Sequence, residues 1–179
     1  MKATGIVRRI DDLGRVVIPK EIRRTMRIRE GDPLEIYTNT DGEVIFKKYS
    51  PIGEISENAA QVADIMHKLS GCPVAVFDRD HVISISGAAK KEWNARRVSP
   101  ELEELMENRR QYYCEDSNCS FIPAEGVAKG AVACLPIISS GDVTGAVAFL
   151  DNGTDSALSE SQKTLIQAAS QFLGKQIEL

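Results

Sequence analysis

The chain is poor in aromatic residues, which make up 6% of its 179 positions with a single tryptophan, and it has only two histidines and four cysteines. Each shortage excludes something. His67 and His81 stand far in sequence from the one loose cysteine pair, Cys114 and Cys119, whereas a structural zinc site needs four tetrahedral ligands, often as two close pairs. Cys72, Cys114, Cys119 and Cys134 are too few and too unevenly spaced for a disulfide framework, and all four are expected to be thiols in a reducing compartment. The longest apolar runs, residues 131–138 and 145–150, fall well short of the roughly 18–20 residues of a membrane span. The N-terminus has no apolar stretch with a small-residue cleavage site, so a cytoplasmic protein without a membrane partner is expected. No nucleophile with a placed base, glycine-rich phosphate loop or metal set can be read, so neither catalysis nor a cofactor is expected.

What the chain has is apolar content, 42% hydrophobic, enough to exclude a disordered or collagen-like chain. It also has a lopsided charge. Residues 1–50 hold 11 basic and 8 acidic side chains, leaving 11 of the 22 basic and 18 of the 26 acidic ones for residues 51–179. Within the first 29 residues Lys2, Arg8, Arg9, Arg15, Lys20, Arg23, Arg24, Arg27 and Arg29 face only Asp11, Asp12 and Glu21. A basic head on an acidic body points to a polyanion as partner of the head.

The periodicity predicts two domains of α+β class. Residues 4–10 alternate as a strand, Asp11 to Gly14 make a turn, and residues 15–18 form a second β-branched run that ends at Pro19, which suits the first position of a short helix over 20–26. Two more alternating runs, 34–38 and 44–49, flank Asp41-Gly42 and predict a hairpin with a primed turn. A module of about 50 residues buries little surface, so an intertwined dimer with strands from two chains is expected. Residues 51–55 read as a linker, because Pro51 and Gly53 interrupt both patterns, and 56–179 as a second domain.

In the second domain Ile55, Ala59, Val62, Met66 and Leu69 form a heptad-like seam, expected to pack between chains. Strands are predicted over 73–77, 82–86, 131–138 and 143–150, with helices opened by Ser99-Pro100 and by a Ser159-x-x-Gln162 capping box. The stripe of Leu165, Ile166, Ala169, Phe172, Leu173 and Ile177 reads as core. Trp93, beside Lys90, Lys91 and Arg96, reads as a core or interface anchor, and His67 and His81 as polar surface or satisfied positions rather than catalytic bases.

In the head, Lys20, Arg23, Arg24 and Arg27 fall at i, i+3, i+4 and i+7, one face of a helix, where like charges repel unless a polyanion neutralises them. Arginine forks suit phosphate oxygens and guanine edges, and Arg8, Arg9 and Arg15 flank the preceding turn. The plain alternative is a solvated polar face.

The segments Thr4-Gly5-Ile6-Val7-Arg8-Arg9, Leu13-Gly14-Arg15-Val16-Val17-Ile18-Pro19, Glu21-Ile22-Arg23-Arg24-Thr25 and Leu34-Glu35-Ile36-Tyr37 resemble the N-terminal domain of AbrB-type transition-state regulators over nearly all of residues 1–50. The resemblance implies a swapped-hairpin dimer that binds double-stranded DNA, with Arg8, Arg15, Arg23 and Arg24 at contact positions and Arg9, Lys20 and Arg27 extending the basic surface. Swapped-hairpin antitoxins share the head but carry a disordered toxin-wrapping tail where this chain continues into a folded acidic domain; that departure argues against an antitoxin, and a toxin-binding, antitoxin-like protein is the alternative reading. The full chain resembles the AbrB-type sporulation regulators whose second half is a GAF domain. That likeness implies activation and repression of late forespore sigma-factor genes, a place in the forespore cytoplasm, A·T-rich promoter targets and a homotetramer built as a dimer of dimers. GAF domains commonly hold a small molecule under loops, here residues 112–130. Its identity is unknown, since the cyclic-nucleotide pattern and a Cys-His chromophore attachment are both absent, and a closed domain kept for dimer contacts is the other reading.

Overall fold

The computed structural model describes residues 4–115, 121–154 and 157–178, and divides into two compact units, Met1–Tyr49 and Ser50–Leu179.

The first unit holds helix α1 (Lys20–Thr25) and strands β1 (Leu34–Thr38) and β2 (Val44–Lys48), paired antiparallel with Leu34 opposite Lys48 and Thr38 opposite Val44. The hairpin is where the alternation predicts it, but its connection is a five-residue loop, 39–43, not a two-residue primed turn. The reason is Asn39, whose side-chain carbonyl accepts from the amides of Asp41 (3.1 Å) and Glu43 (2.9 Å) and so stabilises the wider loop. Residues 4–10 and 15–18 run without strand pairing in the single chain. Strand conformation needs a neighbouring backbone, and no described residue of the chain supplies one there.

The second unit begins with α2 (Pro51–Glu54), capped by Ser50, whose Oγ accepts from Gly53 N at 3.0 Å and donates to Asp78 Oδ2 at 2.9 Å. The linker expected at 51–55 is therefore a helical turn, held because Ile52 is fully buried in the core. Then follow α3 (Ser56–Ser70), β3 (Val74–Asp78), β4 (Val82–Ser86), α4 (Lys90–Trp93), α5 (Pro100–Glu107), β5 (Tyr112–Tyr113), β6 (Ala131–Ser139), β7 (Asp142–Leu150) and α6 (Glu160–Ile177). The five strands make one sheet in the order β4-β3-β7-β6-β5, every neighbour antiparallel.

Alternation splits this sheet's side chains between two cores. Val74, Val76, Ala133, Leu135, Ile137, Val147 and Phe149 face Ile52 of α2, Ala59, Ala63 and Met66 of α3, and Ile166, Ala169 and Leu173 of α6. Ala75, Phe77, Ala146, Ala148 and Leu150 face the other way, onto Trp93 of α4, Leu102, Leu105 and Met106 of α5, and Val98 and Ala124 of the connecting segments. A sheet covered on both faces explains why β6 and β7 read as continuous apolar runs. It also corrects the helical seam: Ala59 and Met66 are consumed by this unit's own core, with Ile55 and Val62 packed against it, and only Leu69 stands in solvent. Of the α6 stripe, Phe172 is half exposed and the rest packs inward.

Both predicted caps form. Ser99 Oγ accepts from Leu102 N at 3.2 Å, and the Ser159–Gln162 capping box closes with Gln162 N to Ser159 Oγ at 3.2 Å and Ser159 N to Gln162 Oε1 at 2.9 Å. Gly145 marks the closest approach within the sheet, since a Cβ there would lie 2.0 Å from the carbonyl oxygen of Phe77.

Candidate nucleic-acid interface

The basic residues of the head sit on three local frames. Arg8 and Arg9 project from the extended chain before the turn, both exposed. The turn itself is built by Asp11. Its Oδ1 accepts from Leu13 N (3.0 Å) and Arg15 N (2.8 Å), its carbonyl accepts from Gly14 N (3.1 Å), and its own amide donates to Arg15 O (2.9 Å). Gly14, at φ +76°, takes the left-handed position such a turn requires. Asp11 Oδ2 then accepts from Arg15 Nε at 2.8 Å. The backbone amide of Arg15, then its guanidinium, hold the Asp11 carboxyl below its ordinary value although it stands in solvent.

The third frame is α1. Pro19 is buried and Ile22 half-buried, which pins the helix and leaves Lys20, Arg23 and Arg24 exposed. Sequence periodicity extends that face to Arg27, but the helix ends at Thr25 and Arg27 adopts φ +51°. Arg27 therefore lies beyond the helix, half-buried, and its carbonyl accepts from Lys48 Nζ at 2.9 Å. Asp32, whose side chain is only 3% exposed, completes this anchor. It accepts from Arg29 N at 2.8 Å and lies 3.5 Å from Lys48 Nζ. The cationic helix face thus comprises three residues, not four. Periodicity alone does not reveal the roles of Asp11, Asp32 and Lys48; for Asp11 the one sequence signal is an acid four residues before an arginine across a Leu-Gly turn.

Around these cations the head exposes apolar side chains that a self-contained fold would bury. Val7 is 84% exposed, Ile10 71%, and Leu13 and Val17 70% each. Tyr37 and Phe46 of the hairpin are also exposed.

In the second unit Trp93 is a buried core anchor. His67 Nδ1 lies 2.8 Å from Cys72 O, and His81 donates its amide to Asp78 Oδ1. Cys72 and Cys134 are buried thiols, and burial pushes both up in pKa. Cys114, expected as a thiol, is disulfide-bonded, a correction to the reading from cysteine spacing, which carries no information on the proximity of two sulfurs in space. Cys119 and part of the loop expected to cover a ligand lie outside the described residues. Among the described residues no His, Cys, Asp and Glu group could hold a metal ion, and no helix is long and apolar enough to cross a membrane.

A small basic head thus precedes, along the chain, an α+β sandwich with the strand order β4-β3-β7-β6-β5. Comparison with known proteins supports both halves. Residues 54–178 match the family described as "Stage V sporulation protein T C-terminal, transcription factor", and residues 7–54 match "Antidote-toxin recognition MazE, bacterial antitoxin". The chain is 46% identical to stage V sporulation protein T of Bacillus subtilis over 99% of both chains. It is 52% identical over 69 residues to the transition state regulatory protein AbrB of the same organism, covering 35% of this chain and 71% of that protein. The fold of the second unit is similar to the GAF domain of an Acinetobacter phosphoenolpyruvate-protein phosphotransferase, with TM-score 0.58 and 8% identity over 74% of this chain and 84% of that one. The chain belongs to the stage V sporulation protein T family.

Proposed function

We propose that this regulator acts by binding double-stranded DNA through its head, as an activator and repressor of forespore sigma-factor-dependent genes. The observation that carries the reading is the conjunction, in one small unit, of exposed Arg8, Arg15, Arg23 and Arg24 with exposed Val7, Ile10, Leu13 and Val17. The apolar set calls for a second copy of the head, whose strands give residues 4–10 and 15–18 the backbone partners that a single chain lacks. Two-fold pairing then doubles the arginines into a surface broad enough for two half-sites. Arg9 and Lys20 add phosphate contacts, and Arg27 acts from the loop beyond the helix. A·T-rich targets fit a surface dominated by arginine, since such tracts narrow the minor groove and deepen its negative potential. The GAF-like domain joins two dimers into a tetramer and offers the place for a small molecule, in the forespore cytoplasm.

Fluorescence anisotropy of the intact protein on A·T-rich and G·C-rich duplexes, across a salt series, tests this reading. Binding should fall steeply with salt by counterion release, and Arg23→Ala/Arg24→Ala should weaken it and flatten the salt slope by about 1 for each phosphate no longer neutralised. No binding at low salt would contradict it. Co-purification of a small toxic partner with the head would instead favour the antitoxin reading, which the family match over residues 7–54 supports.

A further inference from the structure

We infer that Asp11 is a positioning residue for DNA recognition, aiming Arg15 rather than merely closing the turn. The inference rests on the DNA-binding reading. An arginine on an exposed turn ordinarily samples many rotamers, and ordering it on binding costs entropy. Here the side chain is tied at its base: Arg15 Nε donates to Asp11 Oδ2 at 2.8 Å. The carboxylate doing so is itself fixed, because its other oxygen accepts from Leu13 N and Arg15 N at 3.0 and 2.8 Å. Arg15 offers five N–H donors in a planar fork; the Nε pairing occupies the side that Nε shares with one Nη–H, and the end fork, one N–H each from Nη1 and Nη2, stays clear of the carboxylate. That end matches two phosphate oxygens, or O6 and N7 of guanine. An acidic side chain in a DNA-facing surface repels the backbone, and the turn alone does not need its charge, since asparagine makes the same Asx bonds. What asparagine cannot supply is a charged acceptor for Nε.

The two roles make opposite forecasts for Asp11→Asn. Loss of a negative charge near phosphates, taken by itself, tightens binding; loss of an aiming group weakens it. Anisotropy titrations of the full chain on one A·T-rich duplex, for wild type, Asp11→Asn, Arg15→Ala and the double variant, separate them. Asp11→Asn is expected to weaken binding about threefold, the scale of an exposed ion pair, and the double variant to bind as Arg15→Ala does or slightly tighter, since without Arg15 only the lost negative charge remains. Asp11→Ser, whose hydroxyl also closes such turns, serves in the same cycle if the asparagine variant changes the circular dichroism or mass of the protein. Unchanged or tighter binding by Asp11→Asn, or losses that multiply in the double variant, would overturn the inference while leaving the DNA-binding reading intact. So would an Arg15→Ala variant that binds as wild type. Failure of wild type itself to bind at low salt would remove both.

Discussion

In the unit Ser50–Leu179, Phe77, Trp93, Leu102 and Phe149 have almost no exposed surface, whereas in Met1–Tyr49 the comparable apolar residues Val7, Ile10, Leu13 and Val17 stand mostly in solvent. The difference is one of size as much as composition. About 130 residues suffice to cover both faces of a sheet, while about 50 leave too much surface for a self-sufficient core. The larger unit folds against itself, and the smaller one has its hydrophobic residues arranged for a surface that its own chain does not provide. On the proposed reading this incompleteness serves function, because a second copy that buried the apolar residues would also duplicate the arginines.

Substitutions in the two units should act differently. The largest effect is expected from Trp93→Ala, which empties the centre of one core and should destabilise the second unit by about 3–5 kcal/mol, read by thermal or denaturant unfolding. An unchanged midpoint would mean that this core is not what holds the unit. Val17→Glu is the matching change in the head. On a single chain, so exposed a site should tolerate the charge within about 0.5 kcal/mol, but against a second copy the carboxylate is buried unpaired, and a fall in mass by light scattering is expected. Ser159→Ala removes one half of the capping box and should cost about 1 kcal/mol, confined to the second unit. The smallest effect is chemical silence: burial raises the thiols of Cys72 and Cys134, so neither should react with a thiol reagent until the second unit unfolds, and disruption of the head should leave both unreactive.

The second unit is legible in the sequence because its signals are local. Ser99-Pro100 and Ser159-x-x-Gln162 name helix starts within four residues, and the apolar runs at 131–138 and 143–150, short and parted by Ser140-Gly141-Asp142, read as buried strands and fall within β6 and β7. The seam on α3 reads wrongly as an interface between chains because periodicity shows which face is apolar and not which surface covers it; here this unit's own sheet does. In the head, the hairpin and α1 are legible, yet the pattern puts Arg27 on the helix because a spacing of seven cannot show where the last turn stops. For residues 4–10 and 15–18 the alternation predicts strands that do not form, because among the described residues none occupies the neighbouring position. The candidate arginines can be read from charge density and from resemblance, whereas the Asp11 bond to Arg15 requires the geometry of the turn.

If a second copy completes the head, amide hydrogen exchange on the intact protein will register it residue by residue. Among the described residues, the amides of 7–10 and 16–18 find no backbone acceptor within their own chain. The expected result is protection of those amides at a level comparable with β1 and β2. Exchange at free-chain rates through residues 7–10 and 16–18, while β3, β6 and β7 remain protected, would contradict it.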